Sequence, residues 1–261
     1  MKKLFFCCFA AAGLLAACQT NPITGRSQLM IVSEQEALSS SAQAYASTLS
    51  EASQQGKLVK DPAINQRVQT ITNRLVAQAT DMRPESRAWQ WTVNVFDDKQ
   101  VNAWCMPGGK MAVYTGLLNK VQPTDDELAQ VMAHEISHAL LSHGREKMSR
   151  ALATQAGLAV GSIATKTDLS QMANVAQVAI MLPNSREAEN EADKLGIELA
   201  ARSGYNPNAA VNMWQKMARL SSGAPPEFLS THPSDESRIN NLMQLAPRMM
   251  PLYETAKNTQ R

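Results

Sequence analysis

Four histidines occur in the 261 residues, and two of them stand four apart in the run Val131-Met132-Ala133-His134-Glu135-Ile136-Ser137-His138-Ala139-Leu140-Leu141. In an α-helix, residues four apart differ by about 40° around the axis and by roughly 6 Å along it. Both imidazoles then point the same way and can hold one metal ion. Glu135 is turned about 100° from His134, which brings its carboxylate to the rim of that site without forcing it into the coordination shell. Two neutral histidines on a metal and a carboxylate that takes a proton from an attacking water are the parts of a zinc hydrolase. The segment supports a helix. Thr124-Asp125-Asp126-Glu127 reads as a capping box after Pro123, Leu128, Val131, Met132, Ile136 and Leu140 supply the apolar period, and Gly144 reads as the stop. The bland alternative for the same residues is a solvated His/Glu helix face.

A catalytic zinc takes a third protein donor and leaves a fourth position open. Ser185-Arg186-Glu187-Ala188-Glu189-Asn190-Glu191-Ala192-Asp193 offers Glu189 as that donor. Asp193, one turn on, could receive the second ring N–H of a ligand histidine. Glu187 and Glu191 compete for the ligand role, and spacing does not separate them. His143, nine residues after His134, falls half a turn away on a continuous helix. It reads as a C-terminal cap or as a residue behind the ligands.

Taken together, His134-Glu-x-x-His138 and Glu189-x-x-x-Asp193 resemble the gluzincin metallopeptidases, specifically the HtpX-like and CAAX-prenyl-protease-like family. Asn102-Ala-Trp-Cys-Met-Pro-Gly-Gly109, Tyr114-Thr-Gly-Leu-Leu118 and His232-Pro-x-x-x-x-Arg238 carry the same resemblance, which covers about residues 60 to 245. It implies an α+β, mostly helical, zincin-like domain with a small sheet whose edge strand lies above the zinc helix and takes substrate as an added strand. It implies one Zn²⁺ per chain on His134, His138 and Glu189, with Glu135 as base and Asp193 orienting a ligand. It also brings His232 to the site as a catalytic residue, either bonding the developing oxyanion or capping the resting metal. Arg238 would brace that loop or a carboxylate. Trp104-Cys105 departs from the family's usual Phe followed by a small residue, which bears on the side chains the cleft prefers.

At the N-terminus, Lys2 and Lys3 precede an apolar stretch from Leu4 to Leu15 and then Ala16-Ala17-Cys18. Residues 1–17 read as a signal peptide too short to span a membrane. The Ala-Ala-Cys ending resembles a bacterial lipobox, with Cys18 acylated and Gln19 directing the chain to the periplasmic face of the outer membrane. Residues 18–33 then form anchor and tether, and 34–261 a single metallopeptidase domain. Without residues 1–17, basic and acidic residues balance at 23 each, leaving no basic stripe for nucleic acid. Cys105 is left as a lone thiol. The expected substrates are unfolded or misfolded envelope proteins, with envelope assembly machinery as a further partner. The competing reading is a lipoprotein chaperone or assembly factor whose zinc is structural or self-capped.

Further elements follow from pattern. Helices are expected over residues 34–56, from Asp61-Pro62 to about Thr80, across 151–182, from the Glu189 segment to near Gly204, from Pro207 to Leu220, and at the C-terminus. Strands are expected over Trp89–Phe96, Val101–Met106 and Lys110–Tyr114, the last two joined at Pro107-Gly108-Gly109, with a loop at 223–226.

Overall fold

The computed structural model describes residues 18–158, 168–220, 227–233 and 236–259. The expected signal segment and the 223–226 loop lie outside these. The chain is mostly helical around a three-stranded sheet. Strands β1 (Cys18–Thr20) and β2 (Ser27–Leu29) form a separate antiparallel hairpin. Helices α1 (Glu34–Gln54) and α2 (Pro62–Met82) follow, then β3 (Thr92–Phe96), β4 (Ala103–Met106) and β5 (Lys110–Tyr114). Helices α3 (Asp125–Leu140), α4 (His143–Leu158), α5 (Leu169–Met181), α6 (Arg186–Arg202), α7 (Asn208–Arg219), α8 (Glu227–Thr231) and α9 (Glu236–Thr259) complete it. Among the described residues no helix is long and apolar enough to cross a membrane.

The central sheet has the order β3-β5-β4, parallel between β3 and β5 and antiparallel between β4 and β5. Gly108 and Gly109 turn the hairpin at φ +82° and +73°. Side chains alternate between two cores, as the period of two requires. Val93, Val95, Ala103, Cys105, Met111 and Val113 face α2 and α3, whereas Phe96, Trp104, Met106 and Ala112 face α1, α4 and α5. The first strand is shorter than its pattern suggests. Residues 84–88 form a tight helical turn, Trp91 Nε1 donates to Ser86 O, and the ladder begins only at Thr92.

Helix α3 is the pillar of the larger core, buried from Glu127 through Leu140. Thr124 and Glu127 form the expected capping box. The helix does not run on to Gly144. Ser142 takes a left-handed conformation, φ +59°, and α4 starts afresh at His143. Gly144 instead permits close approach: a Cβ there would lie 2.9 Å from Pro107 Cδ. Residues 18–29 form a docked hairpin, where the sequence suggested tether and extended chain. Asn21 and Gln28 are buried and both donate to Leu141 O at the end of α3, at 2.9 and 3.0 Å.

Helices α3 and α6 meet where α6 has no side chain. A Cβ on Gly196 would sit 3.0 Å from both the Cα and N of His134. Backbone cannot yield as a side-chain tip does, so Gly196 sets the spacing on which the helix-borne groups of the site depend. Gly196→Val is expected to lower stability by about 1–3 kcal/mol through overpacking and to weaken zinc uptake. Urea unfolding and a zinc titration check this; wild-type values in both would refute the spacing role.

Candidate active site

All four histidines of the chain gather at one place. His134 and His138 project from α3, Glu189 and Asp193 from α6, His232 from the end of α8, and Arg238 from α9; His143 opens α4 beside them. Each is buried. The donor atoms of His134, His138, Glu189 and His232 all lie within 4.8 Å of one another. His134 Nε2 is 3.0 Å from His138 Nε2, and the two carboxylate oxygens of Glu189 stand 3.5 Å from the first and 3.4 Å from the second. Donors around a tetrahedral zinc, with bonds of about 2.0–2.1 Å, are about 3.3 Å apart. The residues therefore fit a single ion in both donor type and separation. Among the described residues this is the one such group.

The surrounding electrostatics point the same way. Glu189 is fully buried and neither oxygen has a well-formed hydrogen bond, although Arg238 Nη1 stands 2.6 Å from Oε2. Burial opposes its charge, yet His232, His134 and His138 around it hold its pKa well below the usual carboxylate range. Burial also works against charge on His134, but Asp193 and Glu189 outweigh it and raise that group to about 9. His138, beside His134, is driven by burial well below the usual histidine range. The centre thus calls for one positive charge, which a proton on His134 supplies in metal-free protein and which a metal ion would replace.

Asp193 accepts a bidentate pair from Arg238 Nε and Nη2, both at 2.8 Å, and its Oδ1 lies 3.0 Å from His134 Nδ1. Arg238 Nη1 also donates to Pro233 O, so it braces the loop and both carboxylates at once. His232 Nδ1 lies 3.1 Å from Phe228 O and 3.0 Å from Thr231 Oγ1. A hydrogen given from Nδ1 to Phe228 O leaves Nε2 bare, and Nε2 faces the cluster 3.3 Å from Glu135 Oε1. Burial lowers the pKa of His232 to about 3 and raises that of Glu135 to about 8.

A narrow cleft opens beside Glu135, His138 and His232. Trp104 and Cys105 of β4, Ala176, Ala179 and Ile180 of α5, and Asn184 line it. Cys105 is buried and burial pushes its thiol up, which leaves it a neutral wall rather than a nucleophile. Asn184 and Lys147 were not singled out by the sequence. Asn184 Nδ2 reaches to 3.5 Å from His138 Nε2, and Lys147 Nζ donates to Leu182 O at 2.9 Å while burial lowers its pKa to about 8. No spacing signal marks either, since both reach the site by packing. Glu187 and Glu191, the rivals of Glu189, stay outside the donor group; Glu191 turns instead to His143.

Because the folded pKa of His134 is raised, its proton is bound below about 9 and competes with metal there. Zinc uptake by metal-free protein at pH 7 should release at least one proton per ion, with affinity climbing from pH 7 to about 9 and levelling beyond. Calorimetry in buffers of different ionisation enthalpy counts the protons. An affinity that falls as pH rises through this window would contradict the assignment.

The model of peptidase family M48 matches residues 62–246, well over half of the chain. The mitochondrial metalloendopeptidase OMA1 of Bos taurus is 32% identical over 252 residues, covering 91% of this chain and 47% of that protein. The beta-barrel assembly-enhancing protease of Yersinia pestis is 33% identical over 211 residues, covering 74% of this chain and 41% of that protein. The OMA1 of Schizosaccharomyces pombe is 34% identical over 171 residues, covering 64% and 50%. The chain spans about half the length of the curated relatives it matches. The family's metal is zinc, which the donor set fits, and on the extent of the match this chain belongs to peptidase family M48.

Proposed function

We propose that this chain is a zinc-dependent endopeptidase, held by acyl groups on Cys18 at the periplasmic face of the outer membrane, that cleaves misfolded or stalled envelope and outer-membrane proteins. The observation that carries the chemistry is the convergence of four buried donors within 4.8 Å, with the Glu135 carboxyl beside them. The relatives named beta-barrel assembly-enhancing protease support the envelope setting and a link to assembly machinery. The Leu15-Ala16-Ala17-Cys18 ending supports the anchor, and Cys18 itself is exposed.

His134 Nε2, His138 Nε2 and a Glu189 oxygen would hold the ion, and when bound it supplies a Lewis acid that activates water and polarises the scissile carbonyl. Glu135 takes the water's proton and returns it to the leaving amine. Its carboxyl is tuned by burial toward neutrality, where a base is most effective. Strand β4 ends the sheet order and packs on α3, so an extended peptide laid along it would run past Glu135. Main-chain pairing of that kind recognises unfolded segments with little dependence on sequence. Glu135→Gln should keep one zinc per chain and lose casein cleavage by about 10²–10⁴-fold. Undiminished cleavage would sink the assignment of the base.

With its hydrogen on Nδ1, toward Phe228 O, His232 would turn a bare Nε2 to the metal, which supports capping of the resting metal over donation to an oxyanion. This also keeps the self-capped reading specific. His232→Ala should then retain zinc on three donors and cleave casein several-fold faster than wild type. Slower cleavage with zinc retained would restore the oxyanion role.

A further inference from the structure

His143 is 2% exposed and is not among the converging donors. Its ring lies beside that of His138, centroids 4.9 Å apart, with the two Nδ1 atoms 2.8 Å from each other. On its far side, His143 Nε2 is 3.0 Å from Glu191 Oε2. The same oxygen accepts from Arg26 Nε at 2.9 Å, and Arg26 Nη1 and Nη2 grip Glu146 at 3.1 and 2.7 Å.

Two Nδ1 atoms at that distance share one hydrogen. A His138 that turns a bare Nε2 toward the metal site carries its hydrogen on Nδ1 and must donate. His143 Nδ1 is then the acceptor, which places the hydrogen of that ring on Nε2, where Glu191 receives it. One tautomer of each ring satisfies every contact, and donation runs in one direction from the metal site outward. His134 is served differently, by Asp193 directly at 3.0 Å. The corner that delivers His143 is held from several sides. Asn21 and Gln28 bond Leu141 O, while Arg83 Nη1 bonds Leu140 O at 2.7 Å and Ser142 Oγ at 3.1 Å.

We propose that His143 is a positioning residue for His138, accepting its Nδ1 hydrogen and so fixing that donor's tautomer and ring plane, and that Glu191 and Arg26 of the N-terminal hairpin fix His143 in turn. This rests on the metal reading above. It assigns the hairpin a part in the active site although none of its residues touches the donors.

The test measures zinc affinity against a chelator and the visible spectrum of the cobalt(II) form in wild type, His143→Leu, His143→Gln and Glu191→Ala, with thermal midpoints of the metal-free proteins. His143→Leu removes the acceptor and should bind zinc about 10–100-fold more weakly, with shifted cobalt bands. His143→Gln can accept the same hydrogen through Oε1 and should recover most of both. Glu191→Ala should fall between, and should add nothing when combined with His143→Leu, because residues acting in one chain are not additive. Unchanged affinity and spectrum in His143→Leu would overturn the proposal. So would equal losses in the Leu and Gln variants, which would mean packing alone. If His143→Leu does not fold, Glu191→Ala decides by the same two readouts. A wild type that takes up neither zinc nor cobalt overturns the metal reading and this one with it; a wild type that binds and cleaves beside an unaltered His143→Leu overturns only this one.

Discussion

A carboxylate with no access to water sets the terms of this fold. Glu189 is 0% exposed, and taking an ionised group out of water costs several kcal/mol unless opposite charge replaces the lost hydration. Arg238 provides one such charge at 2.6 Å. The nitrogens of His134 and His138, aimed at each other and at Glu189, mark where another belongs. Meeting that demand draws α3, α6, α9 and the 231–233 segment to within a few ångströms. Each element arrives on apolar packing: α3 is buried over nearly its whole length, and Gly196 lets α6 close on it. The larger core and the polar centre are therefore one construction. The apolar residues bring the helices together, and the charges fix which residues must face inward.

The parts of this centre differ in how plainly the sequence announces them, and the difference follows from the range of the forces involved. His134, Glu135 and His138 are legible because helical periodicity is local and four-residue spacing has one geometric meaning. The capping box at Thr124 and Glu127 is legible for the same reason. Glu189 was not separable from Glu187 and Glu191 by spacing, since all three share a helix and only its packing selects a face; the resemblance chose among them. Arg238 was read as a brace, but its partners are 45 residues away or more in α6 and no local pattern names them. His143 was read as a cap or as a residue behind the ligands, and spacing could not choose between the two. One residue decides it: Ser142 leaves the helical region, so α4 starts afresh at His143 and sets its ring beside that of His138, behind the donors. Gly144 looked like a helix stop for want of knowledge of Pro107, which packs where its side chain would be.

Residues 18–29 illustrate the same limit from the other side. Asn21-Pro22 and Thr24-Gly25 punctuate like a loose tether, and short polar segments carry no periodicity to say otherwise. Their structure comes from satisfying buried carbonyls and carboxylates elsewhere. Leu141 O receives Asn21 and Gln28, while Glu146 and Glu191 receive Arg26. Burial depresses nothing here for free: charge pairing and hydrogen bonds hold Glu191 down to about 2 against the opposing effect of desolvation. A segment that reads as linker is thus held by the polar needs of the domain it leads into.

The three histidines that face the centre are not held alike, and this bears on which could let go. His134 is steadied by Asp193 of a distant helix, itself clamped bidentately by Arg238, and His138 by His143 at the start of the next helix, which distant Glu191 and Arg26 hold in turn. Moving either ring would break several long-range contacts together. His232 is oriented by Phe228 O and Thr231 within its own five-residue helix and stacks on Phe228, centroids 4.4 Å apart. Phe228 is anchored in the core, and its N–H is bound to Val101 O. A rotation of the His232 side chain away from the cluster would give up two local contacts and its approach to Glu135 Oε1 at 3.3 Å, and would leave that anchor seated. Local contacts open at lower cost than those tied to the global fold. Under the proposed reading, the donor built to yield the fourth position is therefore His232, and the two on α3 are built to stay.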